Sequence, residues 1–131
     1  MIEKFINIFN KHKSELKQHL AKQHIKEYKD IVTIVIDFLA KHDSECETLD
    51  PTRIHEIDDG NHRGILLYII PCNDYNPSHY WSVKINYGSC SATDTLRSIH
   101  DESEDNSIPN KQQIEDYMIL SLHIVQSLKE V

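Results

Sequence analysis

Residues 65–70 read ILLYII, six apolar side chains in a row. Successive side chains of a strand point to opposite faces, so this run puts apolar bulk on both. It predicts a central strand covered above and below. The neighbouring segments supply its partners. Arg53-Ile54-His55-Glu56-Ile57 reads as a preceding strand, and Tyr80 to Tyr87 as a following one. In the latter, Trp81, Val83, Ile85 and Tyr87 fall on one face and Tyr80, Ser82, Lys84 and Asn86 on the other. Asp58-Asp59-Gly60-Asn61 separates the first two strands, and Asp-Gly is a type I′ hairpin signal. With Asp59 and Gly60 as the loop, Glu56 faces Arg63, and His55 and His62 share a hairpin face.

The flanking segments have helical periodicity. Over residues 2–24, Ile2, Phe5, Ile6, Phe9, Leu16 and Leu20 recur at three- and four-residue spacing. Residues 27–42 contain a β-branched run, Ile31 to Ile36, that favours a strand. Tyr28, Ile31, Val32, Val35, Phe38 and Leu39 also form a helical stripe, so a helix is expected there. His42 to Thr52 reads as a polar connector ending near Pro51, and residues 91–99 as a short helix. Asn110 opens a last helix over 111–129, with Gln113 completing a capping box. Ile114, Tyr117, Met118, Val125 and Leu128 form its stripe, widened by Ile119, Leu122 and Ile124. If Ile119, Leu122 and Ile124 are exposed, they permit a homodimer. The expected fold is a single α+β domain spanning residues 1–131. Its antiparallel three-stranded meander sheet is packed by N-terminal helices, a short helix and a long C-terminal helix.

Bulk properties narrow the function classes. The chain has 131 residues, is 39% hydrophobic and 27% charged, and carries a net charge of −7. The charge is uneven: residues 1–29 hold seven lysines against three glutamates, and the remainder is strongly acidic. A net acidic chain lacks the cations that direct DNA binding requires. No apolar run approaches the roughly eighteen residues of a membrane span, and no apolar segment of signal type opens the chain. Cys46, Cys72 and Cys90 are an odd number without zinc-type spacing. The expectation is a cytoplasmic protein, in the host cell, with free thiols.

The stretch YGSCSATDTL, residues 87–96, follows the third strand. Ser91-Ala92-Thr93-Asp94 fits a capping box, and Gly88 allows a sharp exit from the strand. Two functional readings stand beside it. Backbone amides around Ser89 and Ser91 at a helix start suit an anion, although no P-loop or dinucleotide spacing is present. Cys90 near a helix N-terminus suits a nucleophile, with His55, His62, His79 or His100 as base.

Together with DDGNHRGILLYIIP, DYNPSHYW and QIEDYMILSLHIVQSLK, this stretch resembles a group of small proteins encoded by phages and related mobile elements. Their typical run is D-G-x-x-Q-G-T-L-x-F-x-I-P, then Y-x-P-S, then Y-G-S-C-S-x-C-D-T-L, then a helix with L-H-x-x-Q. The likeness covers about residues 55–128. Arg63 stands where the group has Gln, and Thr93 where it has the second Cys, so no C-x-x-C remains here. The resemblance implies a phage-type origin and carries over no enzymatic activity.

Nine histidines raise the question of metal, but neither H-E-x-x-H nor a finger spacing occurs. The loosest constellation joins His55 and His62 with Asp58, Asp59, His79 or Asp74. No metal ligand set, catalytic set or cofactor is assigned. His12, His19 and His24 are expected to face solvent, and His123 to be a bonded core or interface residue. Tyr75 and Tyr80, with Trp81, lie near turn residues and suit recognition. The acidic run Asp101, Glu102, Glu104 and Asp105 suits a basic partner surface. The function expected is therefore a non-enzymatic, acidic, phage-type protein that binds and modulates a host protein, in the manner of an anti-defence inhibitor. That partner is expected to be nucleic-acid-handling. The alternatives are a small-molecule or nucleotide-binding module acting as a signal sponge, and a Cys- or metal-dependent hydrolase.

Overall fold

A computed structural model of the chain describes residues 2–22, 25, 27–43, 49–58, 65–72, 79–86 and 108–130. Among them are three helices, α1 (Ile2–Leu20), α2 (Tyr28–His42) and α3 (Lys111–Ser127). Four strands, β1 (His55–Asp58), β2 (Ile65–Pro71), β3 (Tyr80–Asn86) and β4 (Lys129–Glu130), form one antiparallel sheet in the order β1-β2-β3-β4. The fold is α+β. The sheet has four strands where three are expected, because the chain leaves α3 and pairs Lys129 and Glu130 with Ser82 and Trp81. Two residues are too short a signal for periodicity to reveal. The expected helix over 91–99 lies outside the described residues, as do Cys46, His24 and Tyr87.

Burial decides α2 against its β-branched composition. Ile31, Val32, Val35, Ile36 and Leu39 are fully buried, with Tyr28 and Phe38 nearly so. Each β-branched residue costs a few tenths of a kcal/mol of helix propensity, whereas burying such a side chain gains about 1.5–3 kcal/mol. Helix α1 presents Phe5, Phe9, Leu16 and Leu20 to the same core and has non-helical backbone angles at His12. The edge of Phe5 meets the face of Trp81, with ring centroids 5.1 Å apart. Lys4 Nζ forms an ion pair with Asp43 Oδ2 at 3.1 Å, tying the start of α1 to the end of α2. The capping box on α3 is present: Asn110 Oδ1 accepts from the Gln113 N–H, and Gln113 Oε1 accepts from the Asn110 N–H, both at 2.8 Å. The stripe of α3 is rotated from the expected one. Gln113, Tyr117, Leu120, Ser121, Ile124 and Val125 are buried, Ile114, Met118 and Leu122 half-buried, and Ile119 exposed.

The hairpin register also differs. Glu56 lies opposite Tyr68, not Arg63, and Asp58 opposite Leu66. A two-residue loop at Asp59 and Gly60 is incompatible with that pairing. The observed register lets β1 hydrogen-bond along the apolar centre of β2, and the Tyr68 hydroxyl donates to Glu56 Oε2 at 2.8 Å. Pairing the backbone of the most buried strand outweighs a local turn preference. A corner clamps the connector onto the end of β2. The Asp50 N–H donates to the Pro71 carbonyl, and Leu49 bridges Cys72. Asp50 accepts from the Thr52 N–H and hydroxyl and from Arg53 Nε, while Arg53 Nη2 donates to the Cys72 carbonyl. Burial pushes the Asp50 carboxyl up, but the Thr52 and Arg53 bonds prevail and hold it below the usual carboxylate range. No described helix is long and apolar enough to cross a membrane.

Candidate functional site: the open face of the sheet

Strand parity divides the sheet into two unlike faces. Leu66, Tyr68 and Ile70 of β2 and Trp81, Val83 and Ile85 of β3 are buried in the core shared with the helices. The register sets the other face in rows. Ile57, Leu67 and Lys84 form one row, and His55, Ile69, Ser82 and Lys129 the next. Pro71 and Tyr80 form a third. Leu67 and Ile69 are half-buried, while Ile57 is 45% and Tyr80 38% exposed. Strand β2 is central, as ILLYII predicts; among the described residues the helices pack on its Leu66, Tyr68 and Ile70 face, while Leu67 and Ile69 on the other face are half-buried.

The face has a chemical pattern. Its centre is Ile57, Leu67, Ile69 and Tyr80, and its described rim carries exposed Lys84, Lys129 and His55. Lysine stems cover apolar neighbours while their ammonium groups stay wet, which keeps such a face soluble. An apolar centre within a charged rim is the anatomy of a protein-docking surface. Among the described strands, β1 is also a sheet edge.

Of the residues singled out from sequence, Tyr80 lies on this face and is exposed. Tyr75, Ser89, Ser91, Asp101, Glu102, Glu104 and Asp105 lie outside the described residues, as do Cys90 and His62. Trp81 is core. Ile57, Leu67 and Ile69 were not legible as surface residues, because an unbroken apolar run gives no sign of which face is covered. Cys72 is a buried free thiol. His55 and His79 are exposed and far from a ligand set: no described group of three His, Cys, Asp or Glu residues is placed to hold a metal. His123 is exposed on α3 rather than buried.

A second concentration of polar groups lies between α1 and α2. His12 does not face solvent freely, as expected; its ring stacks on His42, centroids 3.8 Å apart and planes 11° from parallel. The edge of Phe38 approaches the same His42 ring. His42 Nε2 bonds Glu15 Oε2, and Lys41 Nζ bonds Glu15 Oε1 at 3.0 Å. These bonds, His42 first and Lys41 second, lower the Glu15 carboxyl from 4.5 to about 2. Imidazole lone pairs lie in the ring plane, so two stacked parallel rings do not converge on one ion. The cluster fastens the helix pair. Beside it, a cleft of about 590 Å³ runs between His19, Lys22, Ile25, Asp30 and Ile34. Its polar groups are of mixed sign, and no convergent anion or cation cradle results. No family model, curated protein or solved structure matches the chain.

Proposed function

We propose that this chain is a non-enzymatic binding protein of phage type that occupies a surface of a host protein and modulates it. The observation that carries this reading is the open sheet face, with exposed Ile57 and Tyr80 beside half-buried Leu67 and Ile69. The cationic rim of Lys84 and Lys129 fits a partner surface whose apolar centre is bordered by carboxylates. The acidic run Asp101, Glu102, Glu104 and Asp105 supplies the opposite sign for a basic, nucleic-acid-handling region of the same partner. Binding takes place in the host cytoplasm and uses no cofactor. The likeness of YGSCSATDTL and its companion segments to phage-encoded proteins supports the host as the source of the partner.

The test is affinity purification of the tagged protein from bacterial lysate, run beside the Ile57→Asp/Tyr80→Asp double variant. Both positions are exposed, so the variant keeps its circular dichroism and melting curve. A stoichiometric host protein is expected with the unaltered chain. The variant should bind it at least about thirtyfold more weakly, the scale of a hot-spot loss. Equal retention by the variant overturns the sheet-face assignment. A protein-free preparation carrying a nucleotide overturns the reading as a whole, in favour of a small-molecule module using Tyr75, Ser89 and Ser91.

A further inference from the structure

Helix α3 turns a second surface to solvent. Its exposed positions include Gln112, Glu115, Ile119, His123 and Gln126. Their spacing is three, four, four and three residues, symmetric about Ile119. At about 100° per residue these five side chains fall within an arc of about 80° centred on Ile119. Ile119 itself is 54% exposed, and half-buried Leu122 and Met118 lie beside it. Among the described residues, this isoleucine stands in the middle of a polar stripe and outside the hydrophobic core.

The residue types are as symmetric as the spacing. Glutamine stands at both ends, and a glutamate and a histidine stand at equal distances on either side of Ile119. A second copy of α3, laid antiparallel and crossing at Ile119, therefore meets a complementary row. Ile119 packs on its own counterpart at the two-fold axis. Glu115 comes level with His123 of the other copy, about 6 Å along the helix from the axis, and Gln112 with Gln126. Each pair occurs twice, as an isologous interface requires. A parallel arrangement would set Glu115 on Glu115 and His123 on His123, so the charges select the antiparallel one. Asp116, which accepts from Gln112 Nε2 at 3.1 Å, orients that amide at the end of the stripe.

We propose that this face of α3 is a homodimer interface, formed by two antiparallel copies crossing at Ile119 and held in register by reciprocal Glu115–His123 pairs. Leu122 and Met118 widen the apolar centre on each side of the crossing. The interface is narrow, one helix wide, so the dimer is concentration-dependent. It lies in the helical layer and does not depend on the sheet-face reading above.

Sedimentation equilibrium on the full chain at neutral pH and low salt tests it. The mass is expected to rise from that of one 15.3 kDa chain toward twice that value with concentration. Ile119→Glu should abolish the rise. Glu115→Lys should weaken association roughly tenfold, because each reciprocal contact loses the carboxylate that accepts from the His123 ring. Adding His123→Glu to Glu115→Lys should restore it, since the swapped charges pair again across the axis. A monomer at every concentration up to about 0.5 mM, a range that covers weak interfaces, overturns the proposal. So does a dimer indifferent to Ile119→Glu, or a charge swap that fails to rescue. All three positions are exposed, and unchanged circular dichroism confirms that each variant is folded.

Discussion

Glu15 shows how much a single carboxylate does when a lysine and a histidine reach it. It accepts from His42 and Lys41 on the neighbouring helix and is lowered from 4.5 to about 2. A depressed carboxyl stabilises the fold above its unfolded value, and that contribution is lost as pH falls toward the folded one. The contribution of Glu15 is therefore complete above about pH 4.5 and disappears between there and about pH 2. Urea melts at pH 6 and pH 3 should differ less for Glu15→Gln than for the unaltered chain; equal differences would show that the helix pair does not depend on this group. Tyr117 makes a different use of burial. Burial raises its hydroxyl, and the Ile25 N–H bond at 3.3 Å opposes that shift without cancelling it. Neither contact is legible in sequence, since each joins residues that only the fold brings together. The outward position of Tyr80 was legible, because period-two alternation sets it on the face opposite Trp81.

At the level of elements, legibility followed the strength of the local pattern. Helices α1, α2 and α3 and strand β3 each span enough residues for periodicity to show, and β2 shows as an unbroken apolar run. The α3 cap was legible to the residue, because Asn110 and Gln113 are the chemistry of the motif itself. Asn110→Ala removes the acceptor for the Gln113 N–H and should cost about 1 kcal/mol, read as a lower urea midpoint at unchanged slope. An unchanged midpoint would mean that tertiary packing alone sets the start of α3. The hairpin register was not legible: Asp59-Gly60 carries a strong turn preference, but the strand beyond it gains more by pairing β1 with Leu66 to Ile69. Face coverage was not legible either. ILLYII reads the same whether one side or both are covered, and only the packing of the described helices on one side distinguishes buried Leu66 from half-buried Leu67.

At the scale of the whole molecule, the two surfaces lie on different layers, the sheet face outside β2 and the outer side of α3. A dimer through α3 leaves both sheet faces accessible, so two weak contacts to a repeated partner would act together, with an avidity set by their separation. The core joins chain segments that are far apart. Phe5 packs on Trp81, and the Ile25 amide reaches Tyr117, 92 positions along the sequence. Long-range contacts of this kind delay folding, since the intervening chain must be gathered before they form. A fragment of residues 1–109, which lacks α3, should melt without a cooperative transition; a sharp transition would show that α1, α2 and the sheet are self-sufficient. During translation the same dependence sets an order of events. Phe5, Phe9 and Leu16 emerge from the ribosome well before the α3 residues that pack against their helix. In that interval the nascent chain carries an incompletely covered apolar helix, a natural client for a holdase chaperone, until Tyr117 arrives to close it.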